Sequence, residues 1–272
     1  MPELPEVETI ARQLDAALAG GRLRAVEIRD ARLRLASLAR LNGCRIAQVR
    51  RYGKQLVLEL IPPRRRRVAL WLCVHLRMTG RLLWYPGRGD PAELRRARAV
   101  LTLDRGTLVF RDTRRFGTLT LRETLAEVLP AGVEPLSAAL DAARLTKLLA
   151  NSPTPLKTWL LRQDRLVGIG NIYASEICFA ARLDPRRPAG GLSNGERARL
   201  LRAIRRVLTA AIRHCGTTFS DFQDSLGRTG GYVRYLKVYG RAGQPCRACG
   251  TPVERFVQQQ RSTFRCPRCQ PG

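Results

Sequence analysis

Four cysteines near the end of the sequence are spaced for one kind of chemistry: Cys246-x2-Cys249-x16-Cys266-x2-Cys269. Each CxxC pair forms a knuckle that points two thiolates at one ion. A β-hairpin of the intervening length brings two knuckles together around a tetrahedral zinc. Four sulfur ligands leave no open position, so such a zinc is structural; a redox dithiol or disulfide pair is the competing reading of the same spacing. Between the knuckles, TPVERFVQQQRSTFR reads as the hairpin, with Arg261 near its tip, where a basic side chain grips phosphate. Cys44, Cys73, Cys178 and Cys215 stand apart in apolar or helical contexts, as small buried hydrophobes do. The clustering of the rest predicts a reducing compartment.

Three further stretches combine residue types that suit a polyanion. In RLVGIGNIYASE, Gly168 and Gly170 let the backbone approach a phosphate, and Asn171 begins a helix whose free N–H groups face an anion. With PLKTWLLRQ before it, this is a helix, two turns, helix unit suited to a DNA backbone; a plain loop is the alternative. RDTRRFG, with HLRMTG from a neighbouring strand, sets the Arg114 guanidinium beside two apolar wedges, Met78 and Phe116. Side chains of this kind enter a duplex where a base has been removed, although a Met and a Phe at strand ends also serve as core. The terminus MPELPEVETI places Pro2, Glu3, Pro5 and Glu6 where a helix begins, which proline in a first turn and acids at the positive end of a helix dipole explain on local grounds.

The elements that must hold these residues follow from hydrophobic period. Val7, Ile10, Ala11, Leu14 and Leu18 recur at helical spacing, and Gly20-Gly21 ends the helix. RLRAVEIRD, CRIAQVRRY, QLVLELI, VALWLCVHL, RLLWY, AVLTLD, TLVF and TLTLR then read as short strands separated by turns, with the RRRR at 64–67 as a solvated hairpin tip. That spacing predicts a sandwich or barrel. After about residue 130 the period becomes helical, and the helix following Ser193 opens on a Ser193/Glu196 capping box. The stretch from Gly216 to Gly231 has weak periodicity, and a loop of that length is usually functional or mobile. The predicted fold class is therefore α+β. Segment 1–130 is the N-terminal helix plus this sandwich or barrel, 131–235 a helical domain carrying the unit suited to a DNA backbone, and 236–272 a zinc-finger hairpin.

Charge narrows the partner. Lys and Arg number 49 against 22 Asp and Glu, a formal net charge of +27 in 272 residues. Such an excess repels itself and attracts polyanions, so nucleic acid leads and an anionic membrane is the rival. No apolar run of about 18 residues is present, and the N-terminus lacks the basic-then-apolar order of a signal peptide, so no membrane association is expected. Only Lys54, Lys147, Lys157 and Lys237 are lysine among the basic residues. Where arginine fills the generic positive positions, a retained lysine suggests an ammonium that must lose its proton.

MPELPEVET, RRYGK before a strand, RRFG, GIGNIYASE and the terminal four-cysteine finger occur in an order, and over a span of nearly the whole chain, that resembles formamidopyrimidine-DNA glycosylase, a bacterial base-excision repair family. The resemblance implies a bifunctional glycosylase and AP lyase that excises oxidised purines such as 8-oxoguanine and formamidopyrimidines, then cleaves the strand by β,δ-elimination through an N-terminal proline Schiff base. It implies that the initiator Met is removed and that Pro2 attacks C1′ as a secondary amine. An α-amino group has a pKa of about 8 and a helix N-terminus lowers it further, so part of it is uncharged at neutral pH. The resulting iminium stays cationic and acidifies the C2′ proton.

By the same resemblance Glu3 is the acid that protonates the sugar ring oxygen, Lys54 serves β-elimination, and Arg261 serves the δ step and contacts phosphate. Met78, Arg114 and Phe116 fill the void, Asn171 and Lys157 contact the backbone, and the loop from Thr217 closes over an everted purine. Cys246, Cys249, Cys266 and Cys269 hold one zinc. The implied partner is double-stranded DNA containing oxidised bases or abasic sites, bound by a monomer in the bacterial cytoplasm at the nucleoid.

Three positions depart from the common pattern: Thr113 replaces a proline before RRFG, Arg96 stands where many relatives carry a DNA-contacting histidine, and NSPTP replaces a more basic run ahead of Lys157. These bear on individual phosphate contacts and leave the chemistry untouched. The sister activity on oxidised pyrimidines, endonuclease VIII, is disfavoured because that enzyme usually begins Pro-Glu-Gly-Pro and lacks the Met, Arg, Phe wedge. A non-catalytic DNA-binding protein with the same fold is the rival of a different class.

Overall fold

The apolar stripe that begins at Val7 forms the first helix, α1 (Leu4–Leu18), in a computed structural model that describes residues 1–33, 35, 38–217 and 224–272. Val7, Ile10, Leu14 and Leu18 are fully buried against a β-sandwich. One sheet runs β1 (Leu23–Ile28), β6 (Ala99–Leu103), β7 (Gly106–Asp112), β5 (Gly80–Pro86). The other runs β2 (Arg45–Tyr52), β3 (Gln55–Ile61), β4 (Leu70–His75), β8 (Thr118–Arg122). The paired strands are antiparallel throughout. Leu56, Leu58, Leu72, Leu101, Leu108 and Phe110 join the α1 stripe in one core. The eight strands are those expected, and RRRR lies in the turn between β3 and β4. A short helix that the sequence period did not signal, α2 (Pro91–Arg95), is capped by Asp90, whose carboxylate accepts from the Ala92 N–H at 2.7 Å.

Backbone contacts divide the chain into two units: residues 1–129 with 214–231, and residues 130–213 with 232–272. In the first unit the returning segment is tied to α1 and β5. Gln13 bridges it by donating to Asp224 Oδ2 and accepting from the Ser225 hydroxyl, each at 2.8 Å, and the Trp84 N–H donates to Ser225 O at 2.9 Å. Residues 218–223, at the centre of the loop expected to close over a lesion, lie outside the described residues.

The second unit contains α3 (Ala142–Leu149), α4 (Leu156–Leu160), α5 (Asn171–Ala181), α6 (Asn194–Arg213) and a hairpin of β9 (Glu254–Gln258) with β10 (Arg261–Arg265). α6 starts where the capping box places it: the Glu196 N–H donates to Ser193 Oγ and the Ser193 N–H to Glu196 Oε2. α4 is shorter than PLKTWLLRQ suggested. Gln163 turns back to accept from the Gly168 N–H and to donate to Ile169 O, so its side chain builds the turn rather than extending the helix. Glu176 of α5 is buried and accepts the N–H groups of Lys237, Val238 and Tyr239, each at 2.9 Å, fixing the segment that leads into the finger. Burial pushes its carboxyl up, against the pull of those three N–H donors.

Candidate active site and nucleic-acid interface

Pro2 sits just ahead of the helix α1, whose N-cap is Glu3. Both are buried, Glu3 to 3 % exposure, whereas Met1 is 43 % exposed. Pro5 in the first turn has no N–H to leave unsatisfied, and Glu6 closes a capping box by accepting from the Glu3 N–H at 2.8 Å. Glu6, 1 % exposed, also accepts from the Thr217 N–H at 2.6 Å. Gly216 beside it has φ 77°, and a Cβ there would stand 2.7 Å from Glu6 Oε1, so glycine is required for both conformation and space.

Lys54 is the second residue of the two-residue turn between β2 and β3, after Gly53 at φ 61°. Arg51 ties that turn to α1, donating to Glu8 Oε2 at 2.8 Å and to Gly53 O at 3.0 Å. Burial works against Glu8, but the guanidinium groups of Arg51 and Arg12 prevail and hold its carboxyl below the usual range. Close to Lys54, His75 at the end of β4 accepts the Arg77 N–H on Nδ1 at 3.1 Å. Burial, with the positive charges of Arg77 and Lys54, lowers its pKa from 6.5 to about 4, so the ring is uncharged at neutral pH.

Met78 and Phe116 are 44 % and 52 % exposed, large apolar side chains left in solvent, and the Arg114 guanidinium lies 4.9 Å from the Phe116 ring centroid. One buried carboxylate brings their two loops together. Asp112 accepts from the Thr79 hydroxyl, from the Arg114 N–H at 3.2 Å and from the Gly117 N–H at 2.6 Å. Asp112 in turn faces Arg98, 5 % exposed, which also donates to Asp30 at 2.6 Å and to Gly117 O at 2.8 Å. Arg115 completes the set on Asp30, and these guanidinium hydrogen bonds hold the Asp30 carboxyl far below the usual range. Arg96 is exposed at the C-terminus of α2.

In the second unit, Arg261 is exposed and opens β10, after a two-residue turn in which Gln259 and Gln260 have φ 45° and 59°. Asn171 starts α5 after Gly170, and its Nδ2 donates to Ser262 O at 3.0 Å. Lys157 is buried to 1 % exposure; its ammonium donates to Ser262 O at 2.9 Å and Thr263 Oγ1 at 2.7 Å. Both side chains therefore converge on the strand that carries Arg261, and Lys157 acts there as an internal strut.

The four finger sulfurs lie within 4.8 Å of one another, with Cys249 and Cys266 at 3.4 Å and Cys246 and Cys269 at 4.0 Å. A tetrahedron with zinc–sulfur bonds of about 2.3 Å has edges of about 3.8 Å, so the donor set fits one structural zinc. The Ala248 and Cys269 N–H groups point at Cys246 and Cys266 Sγ, each at 3.4 Å, as knuckle amides do. Hydrogen bonding with Thr251 lowers the Cys249 thiol while burial raises Cys269, and a bound zinc would displace the protons these sulfurs otherwise share. Among the described residues, no helix is long and apolar enough to cross a membrane.

Sequence reasoning missed Glu6, Asp30, Arg98 and Asp112, none of which touches solvent appreciably. The available signal was a charge next to each strand end in EIRD, RARAV and FRD, where an inward-facing position demands a partner.

Residues 1–119 match the family model for the formamidopyrimidine-DNA glycosylase N-terminal domain. Residues 131–223 match its H2TH domain, and residues 243–272 the zinc finger found in FPG and IleRS. Curated relatives include formamidopyrimidine-DNA glycosylases of Serratia proteamaculans, 41 % identical over 277 residues covering 99 % of this chain and 100 % of that protein. Another, from Burkholderia cenocepacia, is 41 % identical over 281 residues with the same coverage. Among solved structures, the MutM (Fpg) protein of Thermus thermophilus superposes with a TM-score of 0.85 at 42 % identity, covering 99 % of this chain and 98 % of that one. Lactococcus lactis Fpg in complex with abasic-site DNA gives 0.88 at 29 % identity, covering 99 % and 100 %.

Two outcomes follow from the buried charges. Arg98→Ala strands Asp30 and Asp112 without their shared cation and should cost about 3–5 kcal/mol in chemical denaturation, whereas Arg96→Ala at the surface should stay within about 0.5 kcal/mol. Equal costs would contradict the assignment of Arg98 as the brace under the loop. His75 has a folded pKa below its unfolded value of 6.5. Its stabilising contribution is therefore complete above about pH 6.5 and is lost as pH falls toward 4. NMR titration should place its midpoint near 4, and a midpoint near 6.5 would show that the ring is not desolvated.

Proposed function

This chain belongs to the formamidopyrimidine-DNA glycosylase family, and on that premise we propose how its side chains divide the reaction of a DNA glycosylase and AP lyase for oxidised purines. Removal of the exposed Met1 turns the Pro2 nitrogen into a secondary amine. The observation that carries the assignment is placement: a buried proline at the positive end of a fifteen-residue helix, beside a buried acid. Unfavourable interaction with the helix dipole keeps part of that amine neutral and nucleophilic.

The Pro2 nitrogen attacks C1′ as the bond from C1′ to the damaged base breaks, and the departing base takes up the proton that the amine sheds. The carboxyl of Glu3 gives its proton to the sugar ring oxygen as the ring opens, leaving an iminium between Pro2 and C1′. Lys54 takes the C2′ proton and the 3′ phosphate leaves in β-elimination. The C4′ proton is then lost to solvent and the 5′ phosphate departs in δ-elimination with its charge neutralised by Arg261, after which water releases Pro2 from the remaining sugar fragment. Met78, Arg114 and Phe116 occupy the space of the everted base, with the guanidinium held over the Phe116 ring to face the opposite strand. Asn171 and Arg261 contact phosphate, Lys157 holds the strand between them, and Arg96 adds a surface contact.

The substrates in this reading are 8-oxoguanine and formamidopyrimidines in duplex DNA. Segment 1–130 carries the chemistry, 131–235 and 236–272 grip the backbone, and the protein acts as a monomer at the bacterial nucleoid in the cytoplasm. The +27 charge supports a strong, salt-sensitive attraction to that polyanion.

Borohydride trapping separates the two amines. Pro2→Gly should largely lose both the trapped adduct and strand cleavage. Lys54→Ala should still form an adduct on a pre-formed abasic site while elimination slows. Peptide mapping should place the adduct on the N-terminal peptide that begins at Pro2; an adduct on the peptide containing Lys54 would overturn the assignment.

A further inference from the structure

The far end of α5 from Asn171 carries a cluster that the reaction does not use. Arg182, Arg199, Arg202 and Arg206, with Ala180 and Ala203 between them, line an open concavity of about 370 Å³. α6 supplies three of the four at spacings of three and four, so they stack on one face over about 10 Å of helix. All four are exposed, and no carboxylate lines the concavity.

Helix capping accounts for half of this cluster. Arg199 Nε donates to Ala181 O and Arg206 Nη2 to Ala180 O, each at 3.3 Å, closing the C-terminus of α5. The side chains of Arg182 and Arg202 have no hydrogen bond or ion pair among the described residues. Asp184, two residues from Arg182, is engaged by Arg186 and Arg265, and Glu196, three residues from Arg199, is engaged by Arg187 and lies 3.9 Å from Arg199. Arg182 is also the left-handed cap residue, at φ 56° and ψ 47°, where glycine is the usual choice and any Cβ is strained. An arginine kept in a strained cap, next to an unpartnered arginine one helix away, indicates a ligand rather than a fold requirement.

We propose that this groove is a second phosphate-binding site, which takes the backbone of a DNA segment other than the one being repaired. The distinction between the segments rests on the reading above, in which the Asn171 end of α5 faces the first duplex. An eleven-residue helix separates its ends by about 16 Å, and the groove lies at the opposite end. Guanidinium forks match phosphate oxygens in pairs. An acidic protein segment fits less well, because its affinity depends on apolar anchors, and the lining offers two alanines and no deeper apolar pocket. With both sites filled the protein bridges two duplexes and can pass directly from one to the other while searching.

The test counts duplexes. Wild-type protein and the double variant Arg182→Gly, Arg202→Ala are mixed at low salt with an excess of short undamaged duplex, and the bound duplexes per chain are read by native mass spectrometry. Single-turnover excision on a short 8-oxoguanine duplex is measured on the same samples. Wild type should bind two duplexes and the variant one, and the second binding event of the wild type should carry a salt slope of at least about 1.8 from the two phosphate contacts at Arg182 and Arg202. Glycine relieves the cap at 182, so the variant should melt at or above the wild-type temperature, and its excision should be unchanged. Inorganic phosphate should displace the second duplex only at far higher concentration. One duplex on wild type, two on the variant, or displacement of the second duplex by oligoglutamate at an equal charge concentration would overturn the proposal. Failure of wild-type excision would instead overturn the assigned chemistry, leaving the duplex count to decide the groove by itself.

Discussion

The buried carboxylate of Glu6 is the constraint on which the catalytic end of the first unit depends. It accepts from the Glu3 N–H and from the Thr217 N–H, so one side chain fixes both the start of α1 and a segment 211 residues away. A chain terminus ordinarily frays because nothing repays its ordering. Here Pro2 is ordered by the helix behind it, the capping box beneath it and a glycine that admits the carboxylate. In the proposed reaction Pro2 is the nucleophile, and a nucleophile at a terminus needs that restraint, since misplacement by about 1 Å can cost on the order of a hundredfold in rate.

Charge is used in two ways in this molecule. Inside, arginine and aspartate are matched: Asp30, Arg98 and Asp112 form a chain that is worth keeping for position more than for stability, because desolvation offsets most of the attraction in a buried pair. What the chain positions is a pair of loops bearing Met78, Arg114 and Phe116, whose exposure would otherwise be an apolar liability. Outside, arginine exceeds its acidic partners, as the net charge of +27 requires, and in the proposed reading that excess meets phosphate. The zinc finger and α5 present Arg261 and Asn171 through shared contacts on Ser262 O, made by Lys157 from beneath and Asn171 from the side.

Much of this was legible in the sequence because it rests on short-range pattern. The four-cysteine spacing, the strand alternation and the Ser193/Glu196 box each depend on residues a few positions apart, and the structure carries all three. The family resemblance makes Lys157 a contact to the DNA backbone, whereas the structure buries it. Its burial follows from two oxygens on β10 about 105 residues away, which no local pattern reveals. Arg96 and Arg98 are indistinguishable in RRARAV, yet one caps α2 in solvent and the other is drawn inward by Asp30 and Asp112. Glu6 read as a first-turn acid, and only closure of the chain onto Thr217 gives it a second duty.

The central claim is that the Glu6 carboxylate positions the Pro2 amine for attack on C1′. Its most direct test is the rate of borohydride-trapped adduct formation by Glu6→Ala on a pre-formed abasic site, at a temperature where the variant is folded and retains its zinc. The account predicts a fall on the order of a hundredfold, because the amine survives but its placement does not. A rate within about twofold of wild type would contradict it, since Pro2 would then be held by the helix and its surroundings without Glu6.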